Sequence, residues 1–451
     1  MTAPTSLTPE AIASATAGLA TENAEFARRY PGETAKRQPV HTVYGGAQVF
    51  KSDTAARLGA LALHSLEAFA PDAETFANAI GLPQALAPVV YSRVLEKLRR
   101  EPVEDFRIDF EDGYGTRPDA EEDGHAESAA VELANGLAAG TLPPYVGIRI
   151  KAFTEELKAR AVQTLDIFLT TLVRETGGRL PDNFVVTIPK VTVPDQVSAL
   201  AQLLDQLERH LGLPERALPL EIMVETPQAI LDPDGKASIL RLVGASRRRC
   251  VAAHFGTYDY TASLNITAAY QQLTHPANDF AKSVIQVALA GTGVWISDGS
   301  TNVLPVPPHR ASEGRSLTSA EREANRRAVH AAWKLHYDHV RHSLSRGFYQ
   351  GWDLHPAQLP TRYAALYAFF LEGLEAASAR LKNFVEKAGQ ATLVGEVFDD
   401  AATGQGLLNH FLRAWGCGAI TEEEAVEMSG LSLDDLRGRS FVRILRSPRK
   451  S

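Results

Sequence analysis

At 451 residues, with 45% hydrophobic and 22% charged side chains, the chain has the material for one large domain plus a smaller one, and global disorder is excluded. A formal net charge of −8 disfavours nonspecific attachment to nucleic acid or anionic membranes, both of which need a positive field, so small molecules are the expected partners. Two cysteines, Cys250 and Cys417, provide neither a disulfide framework nor a cysteine metal site, which fits a reducing cytoplasm.

The opening MTAPTSLTPEAIASATAGLATENAEF lacks a basic start followed by a continuous apolar core, and no run of about 18 apolar residues occurs, so neither a signal peptide nor a membrane span is expected. A helix is predicted from Thr8 or Pro9 to about Arg29, followed by the polar linker YPGETAKRQP. Eight strand-like runs come next: HTVYGGAQVF (41–50), DFRIDFED (105–112), YVGIRIKAF (145–153), NFVVTIPKV (183–191), LEIMVET (220–226), CVAAHFGTYDY (250–260), GVWISDG (293–299) and RGFYQGWDLH (346–355). Segments of helical spacing such as DTAARLGALALHSLEAF and VSALAQLLDQLERHL separate them.

Eight alternating β and α units predict a (β/α)8 barrel of the TIM type, with the doubly wound open sheet as competitor. No GxGxxG follows the first strand, which weakens the nucleotide-binding form of that competitor. After about Thr361 the strand signal fades into a helical tail with N-cap signatures at Thr421 (TEEE) and Ser432 (SLDD). The expected division is an N-terminal helical extension (1–40), a barrel catalytic domain (41–360) and a C-terminal helical segment (361–451) that serves as a lid.

In DFRIDFEDGYG, from Asp105 to Gly115, acids crowd the end of an apolar strand, although unpaired carboxylates are costly to bury. Chemistry in such barrels gathers where the strands end, and the strand ends here are polar: Glu111, Asp112, Arg149, Lys190, Glu225, Asp259 and Asp298. Glu225 and Asp259, on consecutive strands, would repel each other unless a cation sat between them, and Mg²⁺, or Mn²⁺ in its place, suits two carboxylates. Arg149 could form a planar fork to a substrate carboxylate or a developing enolate oxygen. Glu111 or Asp112 is expected to support the metal water or orient Arg149, while Asp109, further back, suits a structural ion pair. The bland alternative is that the strand-end charges are merely solvated.

At these residues the sequence resembles the HpcH/HpaI aldolase and citrate lyase β-subunit superfamily, which includes malyl-CoA lyases and is related to malate synthases. IDFEDGYG is similar to that family's LDLEDAV strand, GIRIKAF to its VRVN strand and VVTIPKV to its VLPK strand. MVETPQAI matches the IET segment, HFGTYDYTASLNI the FGxxDL segment, and GWDLHPAQL the CIHPxQ segment, all in chain order. The resemblance implies divalent-metal ligands at Glu225 and Asp259, an Arg149 that contacts a 2-oxo acid and stabilises its enolate, and substrate contacts at Lys190, Gly256 and Thr257. It implies a Mg²⁺-dependent carbon–carbon lyase or aldolase, or an acyl-CoA enzyme of the malyl-CoA lyase or malate synthase kind using a CoA thioester. It further implies a homo-oligomer whose C-terminal piece closes over an active site, often a neighbouring subunit's; FDDAATGQGLLNHFLRAWG occupies that place but departs from the family's lid pattern of two spaced acids, which leaves Asp399 or Asp400 as candidate lid acid or base. The insertion GTRPDAEEDGHAESA and the extra N-terminal helix depart from the family pattern. A noncatalytic barrel that binds a metabolite is the reading from another class.

Other signals have plainer explanations. His336, His339 and His342 are three apart, so on a helix the outer two diverge by about 120° and converge poorly on one ion; a solvated face is expected. His355, before Pro356, is expected to make a structural hydrogen bond. Arg247, Arg248 and Arg249 precede the sixth strand and are expected to form a solvated patch away from the chemistry. The acidic tail ITEEEAVEMSGLSLDDL has no basic recognition face and is read as core packing. Gly45 and Gly46 either let substrate approach the backbone or make a turn.

Overall fold

The computed structural model describes residues 6–32, 36–312, 315–386, 392–394, 397–399, 401–439, 441 and 444. Eight parallel strands, β1 (His41–Gly46), β2 (Asp105–Asp109), β3 (Tyr145–Arg149), β4 (Phe184–Ile188), β5 (Leu220–Val224), β6 (Cys250–Phe255), β7 (Trp295–Ser297) and β8 (Gly351–Asp353), lie in the order β7-β6-β5-β4-β3-β2-β1-β8. Just past β7, Asp298 N donates to Gln350 O at 2.8 Å and Trp352 N donates to Gly299 O at 3.2 Å, which brings β7 and β8 together and closes the ring. With helices around it, this is the expected (β/α)8 TIM barrel with additional helical segments.

Each strand is shorter than its sequence suggests, because the apolar pattern runs on into the loop: Phe110, Ile150 and Val191 are buried beyond the ends of β2, β3 and β4. Alternation explains the opening puzzle. Phe106, Ile108 and Phe110 enter the apolar core, each burial stabilising the fold by about 1.5–3 kcal/mol. Asp105, Arg107 and Asp109 point the other way, since Arg107 reaches Glu221 on β5 (2.8 and 2.7 Å) and Thr187 on β4 (3.1 Å) only through the barrel interior. The interior is therefore polar and paired, as buried charges must be. Asp353, outward on β8, is held well below the usual carboxylate range: burial opposes ionisation, but Arg362 and the bonds from His336 (3.0 Å) and His41 (2.8 Å) outweigh it.

Several expectations are corrected. The N-terminal extension is two exposed helices, Pro9–Thr16 and Leu19–Arg29, broken where Gly18, a poor interior helix residue, caps the second. The helix Ser319–Ser345 turns its histidines inward instead of to solvent: His336 is 1% exposed and meets Thr361 (2.6 Å), His339 meets Thr301 (2.9 Å), and His342 meets Asp279 (2.9 Å). Arg249 is buried on Glu208 and Asp205, so only part of the arginine triplet is solvated. His355 accepts from Ala357 N at 3.2 Å, a structural cap.

The C-terminal segment contains the helices Leu374–Glu386, Ala401–Cys417, Glu422–Ser429 and Leu433–Gly438, the last two opened by capping boxes at Thr421 and Ser432. It also contains a two-stranded antiparallel ribbon, Thr392–Val394 with Val397–Asp399, that the sequence did not signal; Asp400 lies outside the described residues. Gln405, Asn409 and Arg413 face Gln38, Trp295 and Tyr349 across a cleft of about 490 Å³. These partners precede or begin their strands, so this helix sits at the barrel end opposite the strand C-termini.

Candidate active site

The mouth at the strand C-termini gathers Arg149, Glu111, Asp112, Lys190, Glu225 and Asp259 from successive βα units. Arg149, the last residue of β3, is 4% exposed. Its Nε and Nη2 both bind Asp109, at 2.7 and 2.5 Å, so the two-pronged fork imagined for substrate is taken by the neighbouring strand. Nη1 remains at the mouth, 3.1 Å from Glu111 Oε2 and 3.6 Å from Met223 Sδ. Burial would lower the pKa of Arg149, but Asp109 and then Glu111 raise it, and the group stays charged.

Glu111 bridges the two cations, since its other oxygen accepts from Lys190 Nζ. Burial, the largest cause, pushes Glu111 up despite Arg149 and Lys190. Asp112 accepts from Lys190 at 3.0 and 3.1 Å; burial opposes its ionisation, yet the bond and charge of Lys190 hold it low. Lys190 is raised by Glu111 against the effect of burial. It sits at φ 50°, a left-handed conformation that costs a side-chain-bearing residue about 1–3 kcal/mol, and there its N–H donates to Glu225 Oε1 at 2.5 Å.

Glu225 follows β5 directly and is 1% exposed. Burial first, and the charge of Asp259 second, push its pKa up to about 8. Asp259 enters from the first turn of the helix Thr257–Ser263, with Lys190 Nζ 3.9 Å away. Asp109, Glu111, Asp112, Glu225 and Asp259 are thus set against two cations, and the excess negative charge centres on the Glu225–Asp259 pair. A divalent ion would reverse the repulsion that burdens Glu225. Two carboxylates are a Mg²⁺ donor set when water and substrate oxygens complete the shell, and Mn²⁺ accepts the same oxygens. Among the described residues no group of three or more His, Cys, Asp or Glu is arranged to hold a metal.

The remaining site expectations fall differently. Gly256 makes room for Glu225: a Cβ there would lie 2.5 Å from Glu225 Cβ and 2.6 Å from its Oε2. Thr257 is buried, with its hydroxyl unpartnered and its Oγ1 where a Cβ on Gly299 would fall. Asp298 leaves the mouth, because its carboxylate turns out to Lys282 (2.9 Å) and Ser343 (2.6 Å) on surrounding helices. Gly45 admits the Phe106 ring of β2 and Gly46 the Gly113 carbonyl of the loop after it, so both serve packing against that strand and its loop. Sequence reasoning missed Tyr44, whose ring lies 4.7 Å from the Arg149 guanidinium, and Met223; the alternation of HTVYGG and LEIMVET was the available signal.

The crowding at Gly256 makes a prediction. Gly256→Ala should displace the Glu225 carboxylate and weaken Mg²⁺ binding by about 10- to 100-fold, the size seen when a ligand loses its positioning. Calorimetric titration of Mg²⁺ checks this, and parental affinity would mean that Glu225 is not a ligand.

Among solved structures, the fold is similar to a citrate lyase from Burkholderia xenovorans LB400, at 17% identity and TM-score 0.57, over 88% of this chain and 97% of that one. Weaker likenesses are to malate synthase from Haloferax volcanii, at 13% identity and TM-score 0.46, over 90% of this chain and 98% of that one, and to CitE from Mycobacterium tuberculosis, at 15% identity and TM-score 0.38, over 73% and 91%. No curated protein matches in sequence. The first likeness speaks for the barrel alone. A family model described as a domain of unknown function, DUF6986, matches residues 19–444, and the chain belongs to that family.

Proposed function

We propose that the barrel mouth makes or breaks a carbon–carbon bond next to a carboxylate or acyl group, in a Mg²⁺-dependent lyase or aldolase reaction on a small 2-oxo or hydroxy acid or its CoA thioester. The observation that carries this reading is the buried Glu225, repelled by the half-exposed Asp259, beside a permanently charged Arg149. The six ordered motif resemblances in the sequence support it.

Glu225 and Asp259 would hold the ion. When bound, Mg²⁺ supplies positive charge that orients and polarises the substrate oxygens. Arg149 Nη1, at the mouth, meets negative charge that grows on an enolate oxygen, and preorganisation by Asp109 spares reorientation during the reaction. Glu111 and Asp112 set Lys190 beside it, where the ammonium binds a substrate carboxylate. The helix Ala401–Cys417 faces the opposite end of its own barrel, so we assign any cover over the mouth to a neighbouring subunit in a homo-oligomer.

Chelation tests the metal requirement. Activity should vanish in EDTA and return with Mg²⁺ or Mn²⁺, whereas full activity in exhaustively chelated protein would remove the metal from the reaction.

A further inference from the structure

We infer that Tyr44 is a positioning residue for Arg149, an inference that rests on the proposed role of Arg149 at the mouth. Asp109 fixes the guanidinium in its plane through two bonds, and Nη1 has Glu111 at 3.1 Å and Met223 Sδ at 3.6 Å, but these edge contacts leave the face of the group to be closed by something else. The face is closed by Tyr44, with its ring centroid 4.7 Å from the guanidinium carbon. A cation desolvated over an aromatic face is held more strongly than one in water.

Tyr44 is itself held on two sides. Trp352 lies against its ring at 4.7 Å between centroids, tilted by 40°, and its hydroxyl meets His254 Nδ1 at 3.2 Å. His254 is fully buried, and its Nε2 lies 3.3 Å from Glu221, the acid that anchors Arg107. The ring is therefore braced from β8 and β6 while it presents one face to β3. This places Tyr44 between the paired barrel interior and the mouth. It sets the height at which Arg149 Nη1 stands, and it need not touch substrate to do so.

A residue that merely fills the barrel would cost stability when shortened, with no particular effect on Arg149. A positioning residue would act through Arg149. The test uses the full chain with Tyr44→Phe and Tyr44→Leu, each alone and combined with Arg149→Lys. The first readout needs no substrate: the Nε–H resonance of Arg149 in nitrogen-15 NMR, identified by its loss in Arg149→Lys. The second is kcat and KM for whichever substrate the protein turns over.

Tyr44→Phe keeps the ring face over Arg149 but loses the contact with His254, so it should shift the resonance and lower kcat by less than Tyr44→Leu does. Tyr44→Leu should shift the resonance and lower kcat by roughly 10- to 30-fold with little change in Mg²⁺ affinity, the scale of a desolvated cation–π contact. Added to Arg149→Lys, it should cost almost nothing more. An unshifted resonance in Tyr44→Leu, or an equal kcat loss in the Arg149→Lys background, would overturn the inference. If Tyr44→Leu does not fold, Tyr44→Met, closer in volume, is judged by the same criteria. If no carbon–carbon substrate is found, the proposed function fails separately and the resonance still decides whether Tyr44 holds Arg149.

Discussion

Arg149→Lys should lower turnover by roughly 100-fold or more while leaving Mg²⁺ affinity at Glu225 and Asp259 essentially intact. Lysine keeps a positive charge within reach of Asp109, so the buried carboxylate is not stranded. It cannot, however, hold Asp109 through two donors and still extend a third to the mouth, as Arg149 does with Nε, Nη2 and Nη1. The loss should therefore appear in kcat more than in metal binding or folding. Steady-state kinetics beside Mg²⁺ calorimetry separate these effects. Near-normal turnover would mean that Arg149 is only the structural partner of Asp109.

Glu225→Gln should weaken Mg²⁺ binding by about 100-fold or more and reduce activity to background, because one of two carboxylate ligands becomes a neutral amide. The replacement is nearly isosteric and retains an oxygen to accept from Lys190 N, so the left-handed turn at Lys190 stays supported. Without Mg²⁺ the variant should melt no lower than the parent, since burial and Asp259 already push the Glu225 carboxyl up to about 8, so near neutral pH the amide replaces a largely protonated acid. Mg²⁺ should then raise the melting temperature of the parent but not of the variant. Equal stabilisation of both would place the ion elsewhere.

The two levels of the structure were unequally legible in the sequence. All eight barrel strands could be read because each combines β-branched or aromatic residues with a short length and a helical segment on either side. Their ends could not, because Phe110, Ile150 and Val191 continue the apolar pattern after the ladder stops. Charged strand ends pointed to the mouth, but who pairs with whom depends on distance in space. Asp109 takes the fork of a residue 40 positions later, and Tyr44 covers the same arginine from β1. Local polarity also misled: His336 and His339 of the helix Ser319–Ser345 look solvated in one dimension and are buried because that face turns inward, with His342 half-buried beside them. Gly256 was read as a substrate contact, and its missing Cβ also leaves space for Glu225, which the sequence did not signal.

The most direct measurement of the central claim is 2-oxo acid release by the purified protein from a panel of β-hydroxy acids and their CoA thioesters, with Mg²⁺ and after exhaustive chelation. The account predicts release from at least one member with Mg²⁺, none after chelation, and none from Glu225→Gln in either condition. Saturable binding of panel members without any turnover in Mg²⁺ would contradict it, and would make the barrel a metabolite-binding protein instead of a carbon–carbon lyase.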